Sequence, residues 1–222
     1  APQVVGAARD VLAYARDVAQ VELGSAVDNP SVLDDGRLVS NGNFHGIPLG
    51  FAADFMAIAA AEVGAIAERR IDRLLDVTRS MGLPAFLGES PGLDSGLMIA
   101  QYTAAALVAE NRRLAAPASV DSIPTSGMQE DHVSMGWSAA RKLRQTLQNL
   151  TRILSVELLC SARALALRAP LAPAPATAAV AALVDPRPGP DRSLAPELAV
   201  LTGLVDSGAV LAAAEGAIGA LE

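Results

Sequence analysis

The stretch from about residue 133 to residue 168 constrains this chain more than any other. Ala140, Leu143, Leu147, Leu150 and Leu154 recur in steps of 3, 4, 3 and 4, while Arg141, Arg144, Gln145, Gln148 and Arg152 fall on other faces. That spacing describes a helix with an apolar seam of the kind that bundles use. At about 1.5 Å per residue the helix is roughly 50 Å long. A helix of that length is hard to bury within a domain of 222 residues. It predicts a long multi-helix bundle shared between subunits.

The remaining sequence agrees with an all-α fold. Half of the residues are hydrophobic (51%) but only 3% are aromatic, so the core must be built from Ala, Leu, Val and Ile, as in closely packed helices. Few segments show the alternation of β-branched residues that a strand needs. Val4, Val5, Ala8, Val11, Leu12, Ala15, Val18 and Val21 predict a first helix over about 3–26, broken at Asp28-Asn29-Pro30. Asp34-Asp35-Gly36-Arg37 is a turn signal and predicts a small hairpin within 31–40; Asn41-Gly42-Asn43 is a further turn in an irregular region reaching residue 45. A second long helix is expected over about 46–75, with Pro48 in its first turn and Phe51, Phe55, Ile58, Val63 and Ile66 as its apolar positions. A third is expected over about 94–116, with Met98, Ala105, Leu107 and Val108 on its apolar side, stopping before Pro117. Short helices between about 174 and 219 close the chain, interrupted by the prolines of 186–190. With no second hydrophobic core in view, residues 1–222 read as one helical domain.

Charge and cysteine usage narrow the function classes. Lys and Arg number 17 against 24 Asp and Glu, a net charge of −7, which argues against nucleic acid as a partner. The dense basic run Arg141-Lys142-Leu143-Arg144 lies in a helical pattern and reads as a solvated or ion-paired face. Glu68-Arg69-Arg70-Ile71-Asp72-Arg73 reads as an ion-paired helix end. Cys160 sits in an apolar run, where a buried thiol is the expected role, and a single cysteine forms no internal disulfide. The N-terminal residues lack a basic and apolar leader pattern, and the apolar run 55–61 ends at Glu62, too short to span a bilayer. A cytoplasmic protein without a membrane partner is the expectation. Two histidines, His45 and His132, without ligand spacing predict no metal. Phosphate-binding glycine loops and Gly-x-Ser-x-Gly elbows are missing.

Two polar loops remain, each just before a long helix. One is Ser40-Asn41-Gly42-Asn43-Phe44-His45-Gly46 and the other is Ser126-Gly127-Met128-Gln129-Glu130-Asp131-His132. Both place polar groups near helix N-termini, where the dipole favours anions. Caps and turns explain them as well as a site does: Asp131 as an N-cap, His132 as a bridge between backbone groups, Asn41 and Asn43 as turn formers.

At these loops the chain resembles a known family. The segments GNFHG (42–46), AERRIDRLLD (67–76), SGLMIAQYTAAAL (95–107) and PASVDSIPTSGMQEDHVSMG (117–136) resemble the C-terminal half of the histidine ammonia-lyases, within the aromatic amino acid ammonia-lyases. The resemblance covers essentially the whole chain. It implies an all-α homotetramer whose long helices form a common central core, with active sites assembled from several subunits. It also implies deamination of L-histidine to trans-urocanate on a methylidene-imidazolone electrophile formed from an Ala-Ser-Gly tripeptide. No Ala-Ser-Gly occurs in these 222 residues, so the chain reads as a fragment that needs the upstream half of the protein and is inactive alone.

Matched motif by motif, the resemblance implies that Glu130 faces the substrate imidazole as acceptor or proton partner, the catalytic assignment. It implies that Phe44 packs against substrate beside the electrophile, that Gln129 positions groups around it, that Met98 lines the side-chain pocket, and that His45 supports the loop. A carboxylate at position 130 suits an imidazole, whose N–H it can accept and whose positive charge it can stabilise. Relatives selective for phenylalanine usually carry glutamine there. The alternatives are a tyrosine or phenylalanine ammonia-lyase or aminomutase, and a non-catalytic helical oligomerisation module. The fumarase and argininosuccinate-lyase group ranks last, because the lysine and asparagine of its serine-rich loop are missing here.

Overall fold

The computed structural model describes residues 1–186 and 189–221. Of the second proline cluster, Arg187 and Pro188 lie outside the described residues. The elements run in the order α1 (Pro2–Leu23), β1 (Ser31–Val32), β2 (Leu38–Val39), α2 (Ile47–Leu75), α3 (Met98–Leu114), α4 (Gly136–Leu167), α5 (Pro175–Ala181), α6 (Ala195–Asp206) and α7 (Ala209–Ile218). The all-α expectation holds, and the small hairpin is present: β1 and β2 pair antiparallel, Ser31 with Val39 and Val32 with Leu38.

Contacts divide the chain into two compact units, 1–63 with 111–147 and 64–110 with 148–222. Helices α2, α3 and α4 each contribute residues to both.

In the first unit, asparagines shape the connection from α1 to α2. The Asn41 side chain donates to the Asp28 carbonyl at 2.8 Å and to Ser31 Oγ at 2.9 Å, and its carbonyl oxygen accepts the Asn43 N–H at 2.9 Å. Asn43 Nδ2 reaches back to the Ala26 carbonyl at 3.0 Å. These asparagines therefore supply turn geometry. Further along, the first turns of α2 and α4 meet glycine to glycine. A Cβ built on Gly50 would stand 3.4 Å from Gly136 Cα, and one on Gly136 would stand 3.5 Å from the Gly46 carbonyl oxygen.

The second unit holds an aliphatic core. Ala67, Ile71 and Leu75 come from α2, Ala100, Ala104 and Val108 from α3, Ile153, Val156, Leu159 and Cys160 from α4, and Leu201 from α6. Helix α5 packs on α7 in the same unit. The charged end of α2 is ion-paired as expected. Arg69 holds Glu68 at 2.6 Å, Arg70 grips Glu157 of α4 with two nitrogens, and Arg79 holds both Asp72 and Asp76. The Thr78 hydroxyl and Arg79 together hold the Asp76 carboxyl down at about 2.

The faces buried within this chain differ from the apolar rows of the sequence. In α4 the buried face is offset from the leucine row, whose Leu143, Leu150 and Leu154 are half-buried. It runs through Ala139, Thr146, Asn149, Ile153, Val156 and Cys160, while Ala140 and Leu147 are exposed. Thr146 and Asn149 are tolerated there because Thr146 Oγ1 donates to the Lys142 carbonyl at 2.9 Å and Asn149 Nδ2 donates to Glu110 at 2.8 Å. In α2 the buried face is small and partly polar, Ala52, Asp54, Ala57 and Ala60, with Phe51, Phe55 and Ile58 about half exposed. By length and composition α2 could cross a membrane, longer than the run ending at Glu62 suggested; here it buries Asp54, Ala67, Ile71 and Leu75 in protein.

The third helix also starts later than expected, at Met98. Gly96, at φ +58°, makes a left-handed turn that lets the Leu97 N–H bond the Phe86 carbonyl at 2.9 Å. The carboxylate of Asp191 accepts the N–H groups of Ser95 at 2.7 Å and Gly96 at 2.9 Å. Those backbone donors, Ser95 first, hold the Asp191 carboxyl below the usual range.

Candidate functional site

Within the first unit the two polar loops are brought together. His45 Nε2–H donates to the His132 carbonyl at 2.9 Å, which fixes the proton on that nitrogen, since a carbonyl only accepts. The two imidazoles stack with centroids 5.5 Å apart and 3° between planes. Phe44 is therefore one residue, and Glu130 two residues, from a direct link between the loops.

The tip that carries Gln129 and Glu130 is a closed turn. Thr125 and Glu130 exchange backbone bonds, Thr125 N–H to Glu130 O at 2.9 Å and Glu130 N–H to Thr125 O at 3.3 Å. Between them Ser126, Gly127 and Met128 all have positive φ, 52°, 62° and 75°. Left-handed non-glycine residues cost on the order of 1–3 kcal/mol each and persist only where the surroundings over-determine them. Gln129 and Glu130 are exposed, and Phe44 is 48% exposed. The Phe44 ring, the Gln129 amide and the Glu130 carboxylate are thus open to solvent on two loops joined by the His45–His132 bond.

Asp131 does not cap α4. The helix starts five residues later, at Gly136, whose N–H bonds Ser134 Oγ at 3.3 Å. His132 holds the loop, through its carbonyl and its ring, and does not start the helix. Met98 belongs to the second unit, where it lines a cavity of about 350 Å³ with Phe86, Leu93 and Asp94. Among the described residues no three His, Cys, Asp or Glu side chains converge as metal ligands. Cys160 is fully buried, and burial pushes its thiol up to about 12, so it serves as packing.

Sequence reasoning missed Asp54. Its carboxylate is 4% exposed, and Oδ2 accepts the N–H groups of Ala118 at 2.8 Å and Ser119 at 2.7 Å, the entry of the loop that carries Glu130. Lys142 Nζ stands 3.6 Å from Oδ1 and donates to the Ala116 carbonyl. Burial alone would raise the Asp54 carboxyl, but the Ser119 and Ala118 donors and the Lys142 charge outweigh it and hold it below its usual value. The available signal was a lone carboxylate in an otherwise apolar helical segment, Phe51 to Ala61.

Two linked helix-entry loops on a long-helix chain thus offer a carboxylate, an amide and an aromatic ring to solvent. The chain belongs to the aromatic amino acid lyase family, whose model matches residues 1–186. It is 62% identical to the histidine ammonia-lyase of Streptomyces avermitilis over 225 aligned residues, covering 100% of this chain and 44% of that protein. It is 52% identical to the histidine ammonia-lyase of Symbiobacterium thermophilum, with the same coverage of 100% and 44%. Among solved structures, the histidine ammonia-lyase from Trypanosoma cruzi superposes with a TM-score of 0.93 at 43% identity, covering 98% of this chain and 44% of that one. Tyrosine aminomutase from Streptomyces globisporus gives 0.90 at 43% identity, covering 97% and 42%. The chain thus spans less than half the length of the relatives it matches.

Proposed function

We propose that this chain forms the C-terminal part of a histidine ammonia-lyase, which eliminates ammonia from L-histidine to leave trans-urocanate. The observation that carries this reading is Glu130, an exposed carboxylate held on a closed turn beside the loop of Phe44 and His45. Glu130 accepts the imidazole N–H and holds the ring in place, stabilising the positive charge it can carry. Gln129 orients polar groups beside it, Phe44 packs on the substrate, Met98 lines the side-chain pocket, and His45 fixes the loop. The identity to histidine ammonia-lyases, up to 62%, supports the substrate class.

The family uses a methylidene-imidazolone, and the solvent-open Phe44 ring and Glu130 carboxylate suit a place beside one supplied from outside these 222 residues. Phe44 would lie beside it. When present, the group supplies an electrophile that turns the substrate amine into a good leaving group. This chain alone is then inactive and works with an upstream half of the protein. The exposed Phe51, Phe55, Ile58 and Leu147 rows on α2 and α4 support a helical core shared in a homotetramer. A cytoplasmic location fits this reading.

The experiment is Glu130→Gln in the complete enzyme, assayed with histidine, tyrosine and phenylalanine. Histidine turnover should fall by about 10²-fold or more. Unchanged histidine turnover refutes the assignment, and turnover confined to tyrosine favours the aminomutase branch, which matches structurally at the same identity as the T. cruzi enzyme, 43%.

A further inference from the structure

We propose that Asp54, charged and paired with Lys142, is a positioning residue for the reaction: it sets the direction of the loop that presents Gln129 and Glu130. The inference rests on the reading of Glu130 as the imidazole contact.

The loop between α3 and α4 runs from residue 115 to residue 135 and contains only one short helical turn, Ser126–Met128. A connection that long keeps a fixed tip only if it is tied. At its exit Val133 N–H bonds Ser122 Oγ at 2.8 Å and the His132 carbonyl accepts the His45 Nε2–H. At its entry the ties are Asp54 and Lys142, which together hold residues 116, 118 and 119. Two adjacent N–H groups on one carboxylate oxygen fix the orientation of the chain as well as its distance.

The residue type is informative. The neighbouring buried positions on this face of α2 are small and apolar, Gly50, Ala57 and Ala60, and alanine would pack there without the cost of desolvating a carboxylate. Oδ1 takes no hydrogen bond among the described residues and is faced by the Lys142 ammonium. The site thus keeps a charge. A charge strengthens both N–H bonds and resists rotation of the carboxylate away from them. Helices α2 and α4 supply this clamp, and the residues just ahead of them, His45 and His132, supply the exit tie. The strained turn 126–128 and the Thr125–Glu130 bridge lie between the two anchors.

The test is a double-mutant cycle in the complete enzyme, using Asp54→Asn, Glu130→Gln and the double variant. Asp54→Asn should lower kcat/KM for histidine about 10- to 100-fold, but less than about 3-fold when Glu130 is already Gln. Amide exchange at Ala118 and Ser119 should rise in Asp54→Asn while the assembly, followed by light scattering, stays intact. Equal losses on both backgrounds, or a loss below about 3-fold with Glu130 present, overturn the inference. If Asp54→Asn fails to assemble, Lys142→Met takes its place in the cycle: a loss of about 3- to 10-fold that disappears with Glu130→Gln supports the clamp, and no loss or an equal loss overturns it. Unchanged histidine turnover in Glu130→Gln alone refutes the role of Glu130 itself, and the inference falls with it.

Discussion

Gly96 offers the sharpest test of the packing, because a well-matched control lies four residues away. A Cβ at Gly96 would stand 2.5 Å from the Phe86 carbonyl oxygen, 2.9 Å from Gly88 N and 3.1 Å from Gly88 Cα. All three are backbone atoms, so no side chain can swing aside. Gly96→Ala must separate the 85–88 turn from the start of α3, straining the Leu97 N–H bond to Phe86 and the Gly96 N–H bond to Asp191. The left-handed conformation costs about 1–2 kcal/mol for alanine, overpacking about 1–3 kcal/mol, and each weakened hydrogen bond about 1 kcal/mol. The sum is about 4–7 kcal/mol. Gly92 has an even more positive φ, 97°, but a Cβ there meets nothing within 4 Å, so Gly92→Ala carries only the conformational cost of about 1–2 kcal/mol. Urea denaturation of both variants, followed by far-UV circular dichroism, measures the difference. If Gly96→Ala is no more destabilising than Gly92→Ala, the close approach of the two backbone segments is wrong.

Asp54 should make stability depend on acid. Its folded value lies below that of an unfolded aspartate, so its contribution is present above about pH 4 and is lost as pH falls through the lower folded value. The stability gap between the parent and Asp54→Asn, measured by denaturation at a series of pH values, should be largest near neutrality and shrink as pH falls below the usual carboxylate range; a gap that widens in acid contradicts the assignment. Cys160, with its thiol at about 12, should stay unlabelled by Ellman's reagent at pH 8 until urea unfolds the protein. Rapid labelling of the native protein would show that the α4 face is misplaced.

Helix number, order and approximate limits were legible because long apolar-periodic segments end at glycine and proline. The faces were less legible, for a physical reason. In α4 the leucines at 147, 150 and 154 dominate any hydrophobic count, yet Thr146 and Asn149 occupy the buried stripe, made acceptable by partners distant in sequence such as Glu110. In α2 the alanines face inward and the phenylalanines outward. Periodicity reports that a helix has an apolar side, but not whether its own chain or another covers it. The start of α3 was misplaced because Ser95 and Gly96 belong to a left-handed turn tied to Asp191, 96 residues from Ser95. Pattern located the two site loops and left cap and site equally open. The link from His45 to His132 spans 87 residues, so nothing local in the sequence could show it. Only motif resemblance assigned Glu130 a role, and Asp54 belonged to no motif.

The two compact units interleave along the chain: 64–110 is enclosed in sequence by the two pieces of the first unit, and 111–147 by the two pieces of the second. Neither unit is continuous, so neither can be completed early in synthesis. The Asp54 bonds to Ala118 and Ser119 close loops of 64 and 65 residues, and such closures slow folding more than helix formation does. While the chain emerges from the ribosome, α2 must wait with a bare carboxylate and an uncovered apolar surface until residues beyond 142 are available. Exposed apolar surface of this kind favours aggregation while these helices exist without their partners.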